Sequence, residues 1–177
     1  MSIVKILQYP DTRLKRVAQK VEDFGAEFQR YADTMFQTHY AADNCAALAA
    51  TQLDLNPGYH VTVIDFSAEH DQPLCIVNGD IIAREGEQNE EEGCMSVGCD
   101  VDVYLHAKVK RAMNITLRYQ DRHGEVQEMQ AEGFMAKCIQ HELDHLDGKI
   151  YLDRLSTLKR KMLEKKLNKE LRSRERD

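Results

Sequence analysis

The sequence predicts an α+β fold with helices at its two ends and strands between them. Three observations carry this. Phe28, Tyr31, Ala32, Met35 and Phe36 recur at helical spacing within about residues 26–41. The middle of the chain holds short runs rich in β-branched residues, bounded by turn signals. From Phe134 onward the apolar period is again helical and ends at Gly148, a glycine suited to a helix stop.

The elements follow in order. Tyr9-Pro10-Asp11-Thr12-Arg13-Leu14 reads as a turn into a short helix. After the first long helix comes Cys45-Ala46-Ala47-Leu48-Ala49-Ala50-Thr51-Gln52, whose small side chains suit close packing or close approach of a ligand. Asn56-Pro57-Gly58 marks a turn before His60–Phe66, a predicted strand, and Leu74–Val77 is predicted as another. Ile115, Leu117 and Tyr119 alternate with polar residues. The turn Asp121-Arg122-His123-Gly124 then leads to a second strand near Val126–Met129, giving a hairpin.

With 177 residues, 42% hydrophobic and 31% charged, the chain has the composition of one globular domain. No run of 18 apolar residues occurs, and the start lacks the basic-then-apolar pattern of a secretory signal, so a cytoplasmic protein is expected. Five cysteines at irregular spacing argue for thiols, buried or metal-bound, rather than a disulfide framework. The net charge of −6 divides unevenly: residues 154–177 carry +6 and residues 1–153 carry −12. The basic segment continues as a helix from Leu155. Leu155, Leu158 and Met162 form one apolar series, and Leu163, Leu167 and Leu171 another. It suits either a docked amphipathic helix or attraction to RNA phosphates.

The strongest chemical signal is His141-Glu142-Leu143-Asp144-His145. On a helix, histidines four apart lie on one face and can grip one metal ion. A glutamate beside them can reach a water on that ion, which suits metal-assisted hydrolysis. Phe134, Cys138, His141 and His145 share one stripe; Met135, Ile139, Glu142 and Leu146 share the next. Two histidines leave a ligand missing. No histidine follows His145, and Glu164, Glu170 and Glu175 lie in the charged tail. Upstream, Cys94 in Glu92-Gly93-Cys94-Met95-Ser96 offers a thiolate, a good ligand for iron, cobalt or zinc, or else a buried structural cysteine.

Three segments in this order resemble the peptide deformylases: Cys45–Gln52 for G-x-G-x-A-A-x-Q, Glu92–Ser96 for E-G-C-x-S, and Gln140–His145 for Q-H-E-x-D-H. The resemblance covers nearly the whole chain and is closest to the bacterial form. It implies an α+β fold in which antiparallel strands pack around a central H-E-x-x-H helix, with a C-terminal helix. Residues 1–153 would form the catalytic domain, and the basic helix of 154–177 would continue it. Cys94, His141 and His145 would hold the metal, usually Fe²⁺, with Zn²⁺, Ni²⁺ or Co²⁺ able to substitute.

The implied reaction removes the formyl group from the N-terminal formyl-methionine of new polypeptides by a metal-bound water. Glu142 would serve as general base and acid, and Gln52 with the backbone N–H of Met95 would hold the oxyanion. The implied partners are formyl-methionyl nascent chains and, through the C-terminal helix, the ribosome. Two other readings stand beside this one: a different H-E-x-x-H metallopeptidase, or a catalytically weak relative that binds ribosomes or formylated chains.

The sequence also departs from the family pattern. Cys45 and Ala47 replace the two glycines of the first motif. Gly98 stands where a proline is usual, Val101 where a basic residue is common, and Lys137 where an apolar residue often lines the methionine pocket. The stretch after Cys94, which contains Cys99, is several residues longer than usual. No implied ligand or base is lost, so the expectation is a working site in an altered cleft.

Overall fold

The computed structural model describes residues 3–98 and 105–174. Cys99 and Val101 lie outside the described residues. The first long helix, α1, spans Ala26–Ala41. Phe28, Ala32 and Met35 face inward at i, i+4 and i+7, as the spacing predicts. The Tyr-Pro-Asp opening becomes a 3₁₀ turn, Thr12–Lys15, capped by the Asp11 carboxylate accepting from Arg13 N–H.

Among the described residues seven strands follow: β1 Ala47–Ala49, β2 Val61–Ile64, β3 Leu74–Glu85, β4 Gln88–Glu92, β5 Ala107–Arg111, β6 Asn114–Gln120 and β7 Val126–Glu132. Five of them form one antiparallel sheet in the order β1-β2-β3-β6-β7. The predicted hairpin is β6–β7, paired from Gln120↔Val126 to Asn114↔Glu132. β3 is longer than its apolar start suggests. Two register shifts against β6, after Val77 and after Ile81, bend it so that one strand serves both halves of the sheet.

β4 and β5 pair separately, and sequence reasoning finds neither. Gln88-Asn89-Glu90-Glu91-Glu92 reads as a solvated charge run. Its strand form depends on the distant segment Ala107–Arg111, which sets Lys108 opposite Glu91 and Val109 opposite Glu90. The central exposed positions of β4 face water, while Gln88 and Glu92 turn inward.

The motif helix, α2, spans Gly133–Leu146. Ala136, Cys138 and Ile139 pack with Ile64, Ile76, Ile115 and Leu117 of the sheet, and Leu146 is buried as well. Gly148, at φ +73°, ends it as predicted. The tail differs in detail from a single helix starting at Leu155. Tyr151–Arg154 is a 3₁₀ turn, and the helix α3 spans Thr157–Arg174. Leu155, Leu163, Leu167 and Leu171 pack against a cluster that includes Cys94, Val109 and Tyr151. Leu158 and Met162 stay exposed. Among the described residues, no helix is long and apolar enough to cross a membrane.

Candidate metal centre

The helical period of α2 puts His141 and His145 one turn apart, with their Nε2 atoms 3.2 Å from each other. The turn after β4 brings in Cys94, whose Sγ lies 3.2 Å from His145 Nε2. One donor atom from each of the three residues falls within 4.8 Å of the others, and all three residues are buried. This is the N₂S set the sequence points to, drawn from segments about fifty residues apart.

The sulfur is also held by hydrogen bonds. Ser96 N–H and Gln52 Nε2 point at Cys94 Sγ from 3.4 and 3.5 Å. Gln52 is oriented by its own backbone neighbourhood: its Oε1 accepts from Ala49 N–H at 2.8 Å, which turns the amide nitrogen toward Cys94 and Ser96 Oγ. Gln8 Nε2 donates to the Met95 carbonyl at 2.8 Å and fixes the chain just beyond Cys94.

Behind the histidines lies a buried ionic network that the motifs do not announce. Glu92 Oε2 sits 2.8 Å from His141 Nδ1, and both Glu92 oxygens accept from Arg111, at 2.7 and 2.9 Å. Arg111 also pairs with Asp144, which pairs in turn with Arg154. Burial alone would raise the Glu92 carboxyl, but the hydrogen bonds from Arg111 and His141 outweigh it and hold it down at about 2. Glu92 is therefore a carboxylate and can only accept from His141. His141 Nδ1 donates to it, so Nε2 is the nitrogen that faces Cys94 and His145. Burial opposes the ring's charge, but hydrogen bonds to Cys94 and Glu92 outweigh it and raise its titration to about 10, so an ion that binds Nε2 displaces a proton. For His145, burial, then the neighbouring His141, push its titration well below the usual range and keep the ring neutral, as a ligand must be.

Glu142 is buried and its Oε2 has no hydrogen-bond partner among the described residues. Burial pushes its carboxyl up to about 7. A buried, unpartnered carboxylate oxygen beside an N₂S donor set is costly unless water or an ion completes the site. The donor chemistry, the fixed tautomer and this orphaned oxygen together fit a divalent metal with a water at an open position. Cys94, Met95, Gln52, His141 and Glu142 line one cleft of about 400 Å³, together with Ala46, Ala47, Phe134, Lys137 and Cys138.

All six residues singled out from the sequence thus come together. Glu92 was visible only as a letter in a motif, two residues before Cys94. Asp144 was likewise visible only as a letter in a motif, and Arg111 carried no local signal, because its partners are set by the fold. Of the departures, Ala47 puts a methyl into the cleft wall, and Cys45 places its Sγ 3.1 Å from His39 Nδ1. Gly98 has φ +82°, a conformation proline cannot adopt.

Comparison with known proteins agrees with this geometry. The polypeptide deformylase family model matches residues 3–161. A protein named peptide deformylase 1 from Coxiella burnetii is 62% identical over 165 residues, covering 93% of this chain and 95% of that one. A peptide deformylase from Xylella fastidiosa is 45% identical over 175 residues, covering 97% and 98%. Among solved structures, a peptide deformylase from Legionella pneumophila superposes with a TM-score of 0.87 at 39% identity, over 99% of each chain. One from Ehrlichia chaffeensis, solved in complex with actinonin, gives 0.83 at 30% identity, over 96% of this chain and 98% of that one. These relationships do not favour an unrelated H-E-x-x-H metallopeptidase. The chain belongs to the peptide deformylase family, metalloenzymes that hydrolyse the N-terminal formyl group from formyl-methionyl peptides.

Proposed function

We propose that Cys94, His141 and His145 hold one divalent ion, Fe²⁺ in the cell, with Zn²⁺, Ni²⁺ or Co²⁺ able to substitute. The chain then deformylates the N-terminal formyl-methionine of nascent polypeptides and releases formate. The observation that carries the reading is the buried Glu142 oxygen without a partner beside the N₂S set. When bound, the ion supplies Lewis acidity to a water and to the formyl oxygen.

The protein groups do the rest. Glu142 takes the proton of the attacking water and delivers it to the departing amine as the C–N bond breaks. A carboxyl that titrates near 7 suits both transfers at neutral pH. Gln52 Nε2 and the Met95 N–H hold the oxyanion that develops on the formyl oxygen. Glu92, held by Arg111, orients His141 from behind.

Residues 1–153 are read as the catalytic domain and 154–177 as its continuation. The burial of Leu167 in the cluster around Cys94 and Tyr151 supports this. The exposed Lys161, Lys165, Lys166 and Lys169 support a contact with ribosomal RNA, which would place the enzyme in the cytoplasm beside its substrate. Charge reversal at Lys161, Lys165 and Lys169 should weaken ribosome binding; unchanged binding would remove that contact from the account.

The activity itself is tested by formate release from a formyl-Met tripeptide, using protein loaded with Fe²⁺ or Ni²⁺ without oxygen. Turnover that disappears on chelation is expected. No turnover by folded, fully metallated protein would contradict the reading and favour a binding role.

A further inference from the structure

Gln52 reaches the metal centre from a 3₁₀ turn, Ala50–Gln52. A turn this short has few bonds of its own, so its placement depends on what grips it. Leu7 N–H donates to the Gln52 carbonyl at 2.7 Å, and Arg16 donates to the Ala50 and Leu53 carbonyls at 3.1 and 2.6 Å. These bonds tie the turn to the N-terminal segment. The bond to α2 comes from Thr51, whose Oγ1 donates to the His145 carbonyl oxygen at 2.7 Å. Thr51 is 1% exposed, so no water competes for that bond. The residue beside Gln52 is thereby joined to the backbone of a histidine of the N₂S set.

The His145 carbonyl does not need this donor. It already accepts from Gly148 N–H at 3.0 Å, at the stop of α2, and the Thr51 hydroxyl takes its second lone pair. Removing the hydroxyl leaves no orphaned acceptor on the helix, so the bond contributes little to burial of polar groups. It does fix the turn against the helix. Gln52 lines the cleft, whereas Thr51 lies behind it and can act only through its neighbours.

We infer that Thr51 is a positioning residue: its bond to His145 sets the reach of the Gln52 amide to the oxyanion that develops on the formyl oxygen. The inference rests on the oxyanion role proposed for Gln52. A donor that must meet one oxygen in the transition state has to be held within about 0.5 Å, and the supporting bonds behind it supply that precision.

The test measures kcat and KM for a formyl-Met tripeptide, at matched metal content, in the wild type, Thr51→Val, Thr51→Ser, Gln52→Glu and the Thr51→Val, Gln52→Glu double variant. Thr51→Val keeps the shape and removes the donor. Its kcat should fall roughly 10-fold with little change in KM, since a misplacement of about 1 Å costs about 10²-fold. Thr51→Ser keeps the donor and should restore kcat. In the Gln52→Glu background, Thr51→Val should cost almost nothing further. Formate, the product anion, gives a readout without turnover. Titrated into Co²⁺-loaded protein and followed by Co²⁺ absorption, it should bind roughly 3-fold or more weakly to Thr51→Val and normally to Thr51→Ser. A wild-type kcat in Thr51→Val, with Gln52→Glu impaired, would overturn this inference alone. So would equal losses in Thr51→Val and Thr51→Ser, equal formate affinities in the wild type and Thr51→Val, or an undiminished loss from Thr51→Val in the Gln52→Glu background. A wild-type kcat in Gln52→Glu would overturn the oxyanion role of Gln52 and this inference with it.

Discussion

His141 Nδ1 and Glu92 Oε2 are 2.8 Å apart, and the carboxylate in that contact is gripped by the buried Arg111 guanidinium. The contact fixes which nitrogen of His141 carries the proton and therefore which one can bind a cation. Glu92→Gln keeps the shape but removes the charge that holds the tautomer. Metal affinity is expected to fall roughly 10- to 100-fold. Metal content after dialysis against a graded chelator reads this directly; unchanged retention would assign Glu92 a role in folding alone.

Gln52 is expected to act on the developing oxyanion through its amide nitrogen. Gln52→Glu keeps the acceptor that pairs with Ala49 N–H and removes the donor. At matched metal content, kcat should drop by roughly 10²–10³ with KM changed little. A wild-type kcat would remove Gln52 from the chemistry.

Gly148 ends α2 at φ +73°, and an added Cβ would run into the Lys15 carbonyl oxygen. Gly148→Ala therefore combines left-handed strain with a backbone clash, and a loss of about 2 kcal/mol or more is expected. The urea midpoint reports it, and a midpoint equal to the wild type would show that the chain after α2 relaxes freely.

His39 and His60 give the fold an acid sensitivity that is separate from the metal. Burial lowers the titration of both below the usual histidine value of 6.5. The unfolded chain then binds protons that the folded one refuses, so stability is present at neutral pH and is lost as pH falls through about 6.5. In His39→Gln the amide can still donate to the Asp65 carbonyl, and the loss of stability between pH 7.5 and 5.5 should shrink. Parallel pH profiles for the two proteins would contradict this.

Much of the architecture was legible because it is periodic. The bounds of α1, the β6–β7 hairpin and the inward face of α2 follow from apolar spacing and turn residues, which are local. The tail was legible as a helix, but not which leucines pack: Leu163 and Leu167 meet the cluster around Tyr151, while Leu158 and Met162 on the neighbouring face meet water. β4 was hidden because Glu90 and Glu91 are strand residues only through their pairing with Val109 and Lys108. In the site, His141 and His145 announced themselves by spacing, whereas Cys94 stood open between a ligand and a buried structural cysteine until the family resemblance added it. The network behind them did not announce itself. Arg111 is 33 residues from Asp144 and 19 from Glu92, and no periodicity links such positions.

The central claim separates two jobs in one motif: the histidines hold the ion, and Glu142 moves the proton. The most direct test measures metal content and formate release on the same preparation of Glu142→Ala and of the wild type. The account predicts metal retained near the wild-type level, with turnover reduced by roughly 10²–10⁴-fold or more. Substantial turnover by the fully metallated variant would contradict the assignment of Glu142 as the proton carrier.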